Sequence, residues 1–130
     1  MSKASIAPAS IQGLRTFPCD PLILCIHVDG QPLRGLTAEV DWRLAGRISE
    51  IAKGGFDRNL PILRPAHIHL PAGRLVLFRS GACTPTEMAE IVHGLNGEKP
   101  GICPDDFDFS EEEVLQVFRN HVVIFRRGHA

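Results

Sequence analysis

The stretch PLILCIHVDGQPLRGL, residues 21–36, decides the fold predicted for this chain. Its first half, residues 21–28, is a nearly uninterrupted apolar run, which is typical of a central strand covered on both faces. Turn-forming residues follow, and Gly35 extends the loop. A long helix is then predicted over residues 36–53. The stretch therefore predicts a buried strand, a glycine-containing loop and a helix.

The rest of the chain continues this alternation of strands and helices. Further strands are predicted at residues 60–63, 68–70, 73–79 and 122–126, further helices at 84–95 and 110–120, and a loop at 98–109. Residues 1–19 are predicted to be a mobile leader or an edge strand around residues 11–17, ahead of a single domain over residues 20–130. The alternation predicts an α/β fold, with the first two buried strands parallel near the centre of a mixed sheet.

Composition limits the possible partners and the cellular location. A formal net charge of −1 gives no broad attraction for nucleic acid or for anionic membranes. Every apolar run is too short to cross a bilayer, and the N-terminus has no secretory signal pattern. The four cysteines form no C-x-x-C pair and are predicted to be reduced thiols in a cytoplasmic protein.

The predicted helix over residues 36–53 is apolar around more of its circumference than a simple amphipathic helix. Placing its residues at about 100° each puts Trp42 nearly opposite Val40, on the far side of the main apolar stripe. Ala38 and Ala45 widen the same arc. We therefore predict an interface at Trp42, Ala38 and Ala45, toward a neighbouring helix or another subunit.

Asp41 lies in the middle of this apolar arc, so we expect a buried carboxylate that needs partners. One hypothesis is a ligand pocket formed by Gly30, Arg34, Gly35 and Asp41 at the C-terminal end of the first strand. The other is a structural role, in which Asp41 accepts hydrogen bonds from backbone N–H groups of the loop. Arg47 is an alternative partner for the carboxylate.

Two other groups of residues have metal-ligand chemistry. His67 and His69 share one strand face, as do Cys25 and His27, and four such ligands could meet around zinc. Their spacing matches no zinc signature. The carboxylates crowded into residues 105–113 lack the glycine and ligand spacing of a calcium loop. We predict no metal and no cofactor.

Structural roles and solvent exposure are sufficient to explain the remaining charged and nucleophilic residues. Ser110 is predicted to be the N-cap of a helix whose first turn is acidic. Cys83 is the only nucleophile worth testing, and no base lies beside it in the sequence. Arg119, Arg126 and Arg127 form a small basic group near the C-terminus, which is predicted to be solvated.

Three motifs together resemble a known family. They are PLRGL at residues 32–36, DWRLAGRIS at residues 41–49, and LPAGRLVL at residues 70–77. This ordered set is similar to the N-terminal, non-catalytic domain of the leucyl aminopeptidase family. The resemblance implies a three-layer α/β/α fold of the macro-domain type, with a mixed and mostly parallel sheet.

The same resemblance guides the functional expectation. The two-metal peptidase centre of the family lies in its C-terminal domain, in motifs such as NTDAEGR, and this sequence matches none of them. The chain also lacks the Asn-rich and Gly-rich loops of ADP-ribose-binding macro domains. Some bacterial members bind DNA through this region, which the net charge does not favour here. We expect a stand-alone module that is not an enzyme and acts in protein–protein interaction or self-association; the alternative is a domain that binds a nucleotide or an ADP-ribose-like ligand.

Overall fold

A six-stranded sheet forms the centre of the protein. The computed structural model describes residues 4–26, 33, 35–44, 48–50, 62–63, 74–79, 81, 83–95 and 99–127. The strands are β1 (Ser5–Pro8), β2 (Leu22–Ile26), β3 (Ile62–Leu63), β4 (Leu75–Arg79), β5 (Gly101–Ile102) and β6 (Val123–Arg126). The helices are α1 (Ile11–Thr16), α2 (Gly35–Arg43), α3 (Pro85–His93) and α4 (Glu111–Val117), with a 3₁₀ helix at Pro104–Phe107.

The strand order is β1-β6-β5-β2-β4-β3, and every neighbouring pair is parallel except β3 with β4. β2 and β4 are adjacent and parallel, so the first two long buried strands lie together as the sequence predicts. β3 is a short antiparallel edge strand, in agreement with the prolines that surround it in the sequence. The mixed, mostly parallel sheet of the predicted α/β fold is confirmed.

Alternate residues of each central strand face two separate cores, because successive side chains in a strand point to opposite faces. In β2, Leu22 and Leu24 pack with α1 and α2, whereas Ile23 and Cys25 pack with α3, α4 and the 3₁₀ helix. All five residues of β2 are buried. Helices therefore cover both faces of the sheet, which gives three layers.

The helices on the second face begin at caps that the sequence encodes. Thr84 accepts a hydrogen bond from the backbone N–H of Glu87, and the Glu87 side chain accepts one from the backbone N–H of Thr84. Ser110 accepts from the backbone N–H of Glu113 and is the N-cap of α4, as predicted. None of the described helices has the length and the apolar content to span a bilayer.

Two predictions of secondary structure are wrong. Residues 11–16 form a helix and not an edge strand, because Ser10 caps the backbone N–H of Gly13 while Ile11 and Leu14 reach the core. The edge strand of this region is β1, and it precedes that helix. The predicted loop at 98–109 contains β5 and the 3₁₀ helix, both too short to produce a periodic pattern.

The prediction of one continuous helix over residues 36–53 is also wrong. α2 ends at Arg43, and the backbone N–H of Leu44 bonds to both Val40 and Asp41 carbonyl oxygens in a tightened last turn. Residues 48–50 are helical again. The backbone N–H groups of Ile48 and Ser49 bond to a side chain instead of to a preceding turn, which marks a new helix start.

Candidate functional site

The adjacent strands β2 and β5 send the chain to opposite faces of the sheet. After β2 the chain enters α2, which packs on the first core, and after β5 it enters the 3₁₀ helix, whose Phe107 packs on the second core. Where the segments after two adjacent parallel strands leave on opposite faces, α/β proteins bind ligands in the crevice at the carboxyl ends of the strands. This crevice is the first candidate site.

Asp106, in the 3₁₀ helix, is a charged residue at this crevice. It is 6% exposed, and its Oδ1 atom is buried without a hydrogen-bond partner. Among the described residues, Arg127, directly after β6, places a cation beside it, with its Nη1 3.5 Å from Asp106 Oδ1. Native proteins satisfy nearly all buried polar atoms, so an orphaned carboxylate oxygen calls for an explanation.

Burial raises the pKa of the Asp106 carboxyl above its ordinary value. The guanidinium of Arg127, the thiol of Cys103 and the backbone N–H of Leu36 act in the opposite direction, because each favours the charged form. Burial, with Asp106 second, raises the pKa of the Cys103 thiol to about 12. The thiol beside this carboxylate therefore stays protonated and is not a nucleophile at neutral pH.

Gly35 provides the space that Asp106 occupies. Its φ is +55°, and a Cβ atom at this position would lie 2.6 Å from Asp106 Oδ1. Gly35 is the first residue of α2, so the Asp106 carboxylate lies against the positive end of that helix. A phosphate at this helix N-terminus would have to compete with an anion that belongs to the protein.

Asp41 is buried, as the sequence predicts, but it does not belong to this crevice. It lies six residues beyond Gly35, about 9 Å along α2. Its Oδ1 accepts from the backbone N–H groups of Ile48 at 2.7 Å and Ser49 at 3.1 Å, and its Oδ2 accepts from the Ser49 hydroxyl at 2.5 Å. Asp41 therefore joins the end of α2 to the next helical residues.

The outer face of α2 forms a second candidate site. Trp42 is 84% exposed, the highest value among the exposed large apolar residues of the described chain. Trp42 and Ala38 line a groove of about 420 Å³ between α1 and α2, together with Ile11. We call the groove and its exposed rim, Glu39 and Arg43, the Trp42 surface. Two of the three residues predicted as an interface thus lie together on one surface.

Several other predicted residues lie outside the described part of the chain. They are Gly30 and Arg34 of the ligand hypothesis, Ala45 of the interface, Arg47, and His27, His67 and His69 of the metal hypothesis. Within the described ranges, no three His, Cys, Asp or Glu side chains gather as metal ligands.

Cys83 lacks the environment of a reactive thiol. Burial and, secondly, the charge of Glu87 raise its pKa, so the thiolate is disfavoured. The predicted basic group is dispersed: Arg126 forms a bidentate pair with Glu111, and Arg127 approaches Asp106.

The sequence does not single out Asp106. This residue lies in a run of carboxylates, most of them exposed, and helix capping alone is enough to explain such a run. Its one distinguishing signal is local: Pro104 and Phe107 flank it, and both are buried. No protein-family model matches the chain, and no curated protein shows significant similarity to it.

Proposed function

We propose that this protein is a non-catalytic module that acts through protein contacts, in the manner expected from its resemblance to the N-terminal domain of leucyl aminopeptidases. The observation that carries the proposal is the exposure of Trp42 on the outer face of α2. Tryptophan is costly to leave in water and is among the residue types that contribute most to binding energy at interfaces. A single exposed apolar residue is ordinary, so the charges around it matter as well.

The charges beside Trp42 favour contact with a second copy of the chain. Glu39 and Arg43 are both exposed on α2, four residues apart, and no described residue forms an ion pair with either. If two α2 helices packed antiparallel about a two-fold axis, Glu39 of each copy would face Arg43 of the other. The Trp42 side chains would then meet at the centre, which makes self-association the favoured form of the proposal.

Sedimentation velocity over a wide range of protein concentration tests self-association directly. We expect a concentration-dependent dimer that Trp42→Ala weakens. Ile91→Ala is the matched control, because Ile91 is also an exposed apolar helix residue but lies on α3, across the sheet. Glu39→Arg and Arg43→Glu should each weaken the dimer, and the double variant should restore it.

The outcomes separate the forms of the proposal. A dimer that the double charge exchange fails to restore would contradict the antiparallel geometry but not the Trp42 contact. A protein that remains monomeric at every concentration would reject self-association, and the Trp42 surface would then have to dock a different protein.

A second candidate function is the binding of a small ligand, such as a nucleotide or an ADP-ribose-like compound, by a domain of macro type. The observation that favours it is the orphaned Oδ1 of Asp106 at the crevice between β2 and β5. Arg127 lies 3.5 Å from this oxygen and balances the charge of Asp106, so the missing hydrogen bond suits a neutral N–H donor such as the exocyclic amine of a base. Phosphate is disfavoured at the start of α2 for the reason given above.

Thermal unfolding in the presence of matched nucleosides tests this second function. A ligand that binds the native state raises the unfolding temperature. Adenosine, which offers an exocyclic amine, should stabilise the protein more than purine riboside, whose base has no N–H donor. Asp106→Asn should remove the difference, whereas Asp105→Asn, at an exposed neighbouring position, should keep it. Equal or absent shifts for the two nucleosides would reject the ligand function.

A further inference from the structure

A cleft opens between the C-terminal halves of α3 and α4, at the amino edge of the sheet and away from both candidate sites. Its volume is about 520 Å³, within the range of roughly 300–1,000 Å³ that is usual for small-molecule pockets. Apolar side chains form much of its wall, including Ala89 and Val92 from α3 and Phe118 from the end of α4. Pro21 and Pro100, at the starts of β2 and β5, close its inner end.

Arg119, at the rim of this cleft, has an unusual backbone conformation. Its φ is +53°, in the left-handed region, where α4 ends in a hydrogen-bonded cap. The backbone N–H of Arg119 bonds to Gln116, and that of Asn120 bonds to Leu115, which is the Schellman pattern. Glycine is the usual residue at this position because a side chain there is strained. A strained residue at a cleft suggests that its side chain has a use.

The titratable groups that line the cleft favour an anion. Arg119 carries a permanent positive charge, and no described residue forms an ion pair with it. His93 and His121 can each donate a hydrogen bond in either charge state. Glu90 is the single acidic residue on the wall, and it does not pair with Arg119.

We propose that this cleft binds a small organic carboxylate with an apolar body. The apolar wall takes the body, and the guanidinium of Arg119 at the rim pairs with the carboxylate, with His93 and His121 as further donors. A guanidinium and a carboxylate form two parallel charge-assisted hydrogen bonds, which explains why arginine is present where glycine would be less strained.

The test uses aryl-alkanoic acids, phenylbutyrate first, each paired with its neutral primary amide. Titrations followed by ¹H–¹⁵N NMR report both the dissociation constant and the location of binding. Arg119→Gly removes the guanidinium and suits a positive φ, so the variant should fold. Asn120→Gly is the matched control: its φ is also positive, at +62°, but Asn120 does not line this cleft. Both variants should keep or raise the midpoint of thermal unfolding.

We expect acids to shift the amide signals of Ala89, Val92 and Phe118 and to bind more tightly than their amides. Arg119→Gly should weaken acid binding roughly tenfold or more, the scale of a lost charge-assisted bond, while amide binding stays unchanged. Asn120→Gly should bind as the wild type does. If amides bind as well as acids, if Arg119→Gly keeps the wild-type affinity, or if no acid perturbs these signals, the proposal is wrong.

Discussion

Asp41, within α2, and Asp106, packed against the start of α2, are buried to a similar extent, but their surroundings differ. Asp41 is 9% exposed, and both its oxygens accept hydrogen bonds from residues at the start of the next helical stretch. Asp106 is 6% exposed, and one of its oxygens accepts no hydrogen bond, although Arg127 forms an ion pair with it at 3.5 Å. Burial alone therefore does not distinguish a structural carboxylate from a candidate binding group. The number of satisfied acceptor positions does.

The two carboxylates act at opposite ends of α2. Asp106 lies against the first residues, where the helix dipole favours a negative charge. Asp41, near the last residues, uses its charge to cap the following helical stretch instead of its own helix. Both roles depend on contacts of α2 with other segments, and four measurements test the contrast between the two carboxylates.

The largest expected effect is the loss of stability in Asp41→Ala. The substitution removes three hydrogen bonds and leaves two backbone N–H groups, those of Ile48 and Ser49, without their acceptor. We expect a loss of about 3 kcal/mol in the free energy of unfolding, measured by urea denaturation. Glu50→Ala, an exposed carboxylate beside the same cap, should change it by less than about 0.5 kcal/mol. If the two variants lost similar amounts of stability, the structural role assigned to Asp41 would be wrong.

Gly35→Ala should have the next largest effect. The added Cβ would approach Asp106 Oδ1 to 2.6 Å at a positive φ, so a loss of about 2 kcal/mol is expected in the same measurement. Gly81→Ala is the control, because its φ is also positive but nothing lies within 4 Å of the added atom. In an Asp106→Ala background the cost at Gly35 should fall to that at Gly81. An unchanged cost in that background would show that Asp106 does not restrict this position.

The pH dependence of stability tests the orphaned oxygen of Asp106. Its pKa is raised in the folded protein, so the native state binds the proton more readily than the unfolded chain does. This carboxyl favours the fold most below its unfolded pKa, and the contribution is lost as the pH rises through the folded pKa. Asp106→Asn should not show this loss of stability between acidic and neutral pH. Arg127→Ala should make the loss larger, because the guanidinium lowers the pKa of Asp106. Identical pH profiles for wild type and Asp106→Asn would contradict the assignment.

Glu111→Gln should have the smallest effect, and its pH dependence should have the opposite sign. The bidentate bond from Arg126 lowers the pKa of the Glu111 carboxyl, so its contribution is present above the unfolded pKa and is lost as the pH falls. Both side chains are partly exposed, and such surface pairs contribute little because solvent screens them. The free energy of unfolding of the variant, measured across the same pH range, tests the sign of this dependence. A large loss of stability at neutral pH would contradict the small contribution expected of an exposed pair.

Much of the fold can be predicted from local pattern. The apolar runs that became β2 and β4, and the caps at Thr84 and Ser110, are visible in the sequence because they depend on neighbouring residues. β5 is not visible, because a strand of two residues has no period to detect. The break in the long helix is hidden for a different reason. Helical periodicity continues through it, whereas the carboxylate of Asp41 bonds the N–H groups that a continuous helix would use.

The candidate sites show the same division. The sequence indicated that Trp42 lies off the main apolar stripe and that Asp41 is buried, since both follow from angular position on one helix. The sequence did not indicate a special role for Asp106, nor the cleft between α3 and α4 that Arg119 lines. Asp106 meets Gly35 only because β5 pairs with β2, and the cleft exists only because α3 and α4 pack on the same face of the sheet.

Local sequence pattern is sufficient to predict the alternation of strands and helices, the buried central strands and the position of Trp42 off the buried stripe of α2. These properties depend on side-chain period and on contacts within a few residues. Packing between distant segments sets which carboxylate has its hydrogen bonds satisfied, which has an oxygen without one, and where the cleft between α3 and α4 opens. Those properties arise from the pairing of segments far apart in the chain, and no local pattern encodes the position of a distant partner.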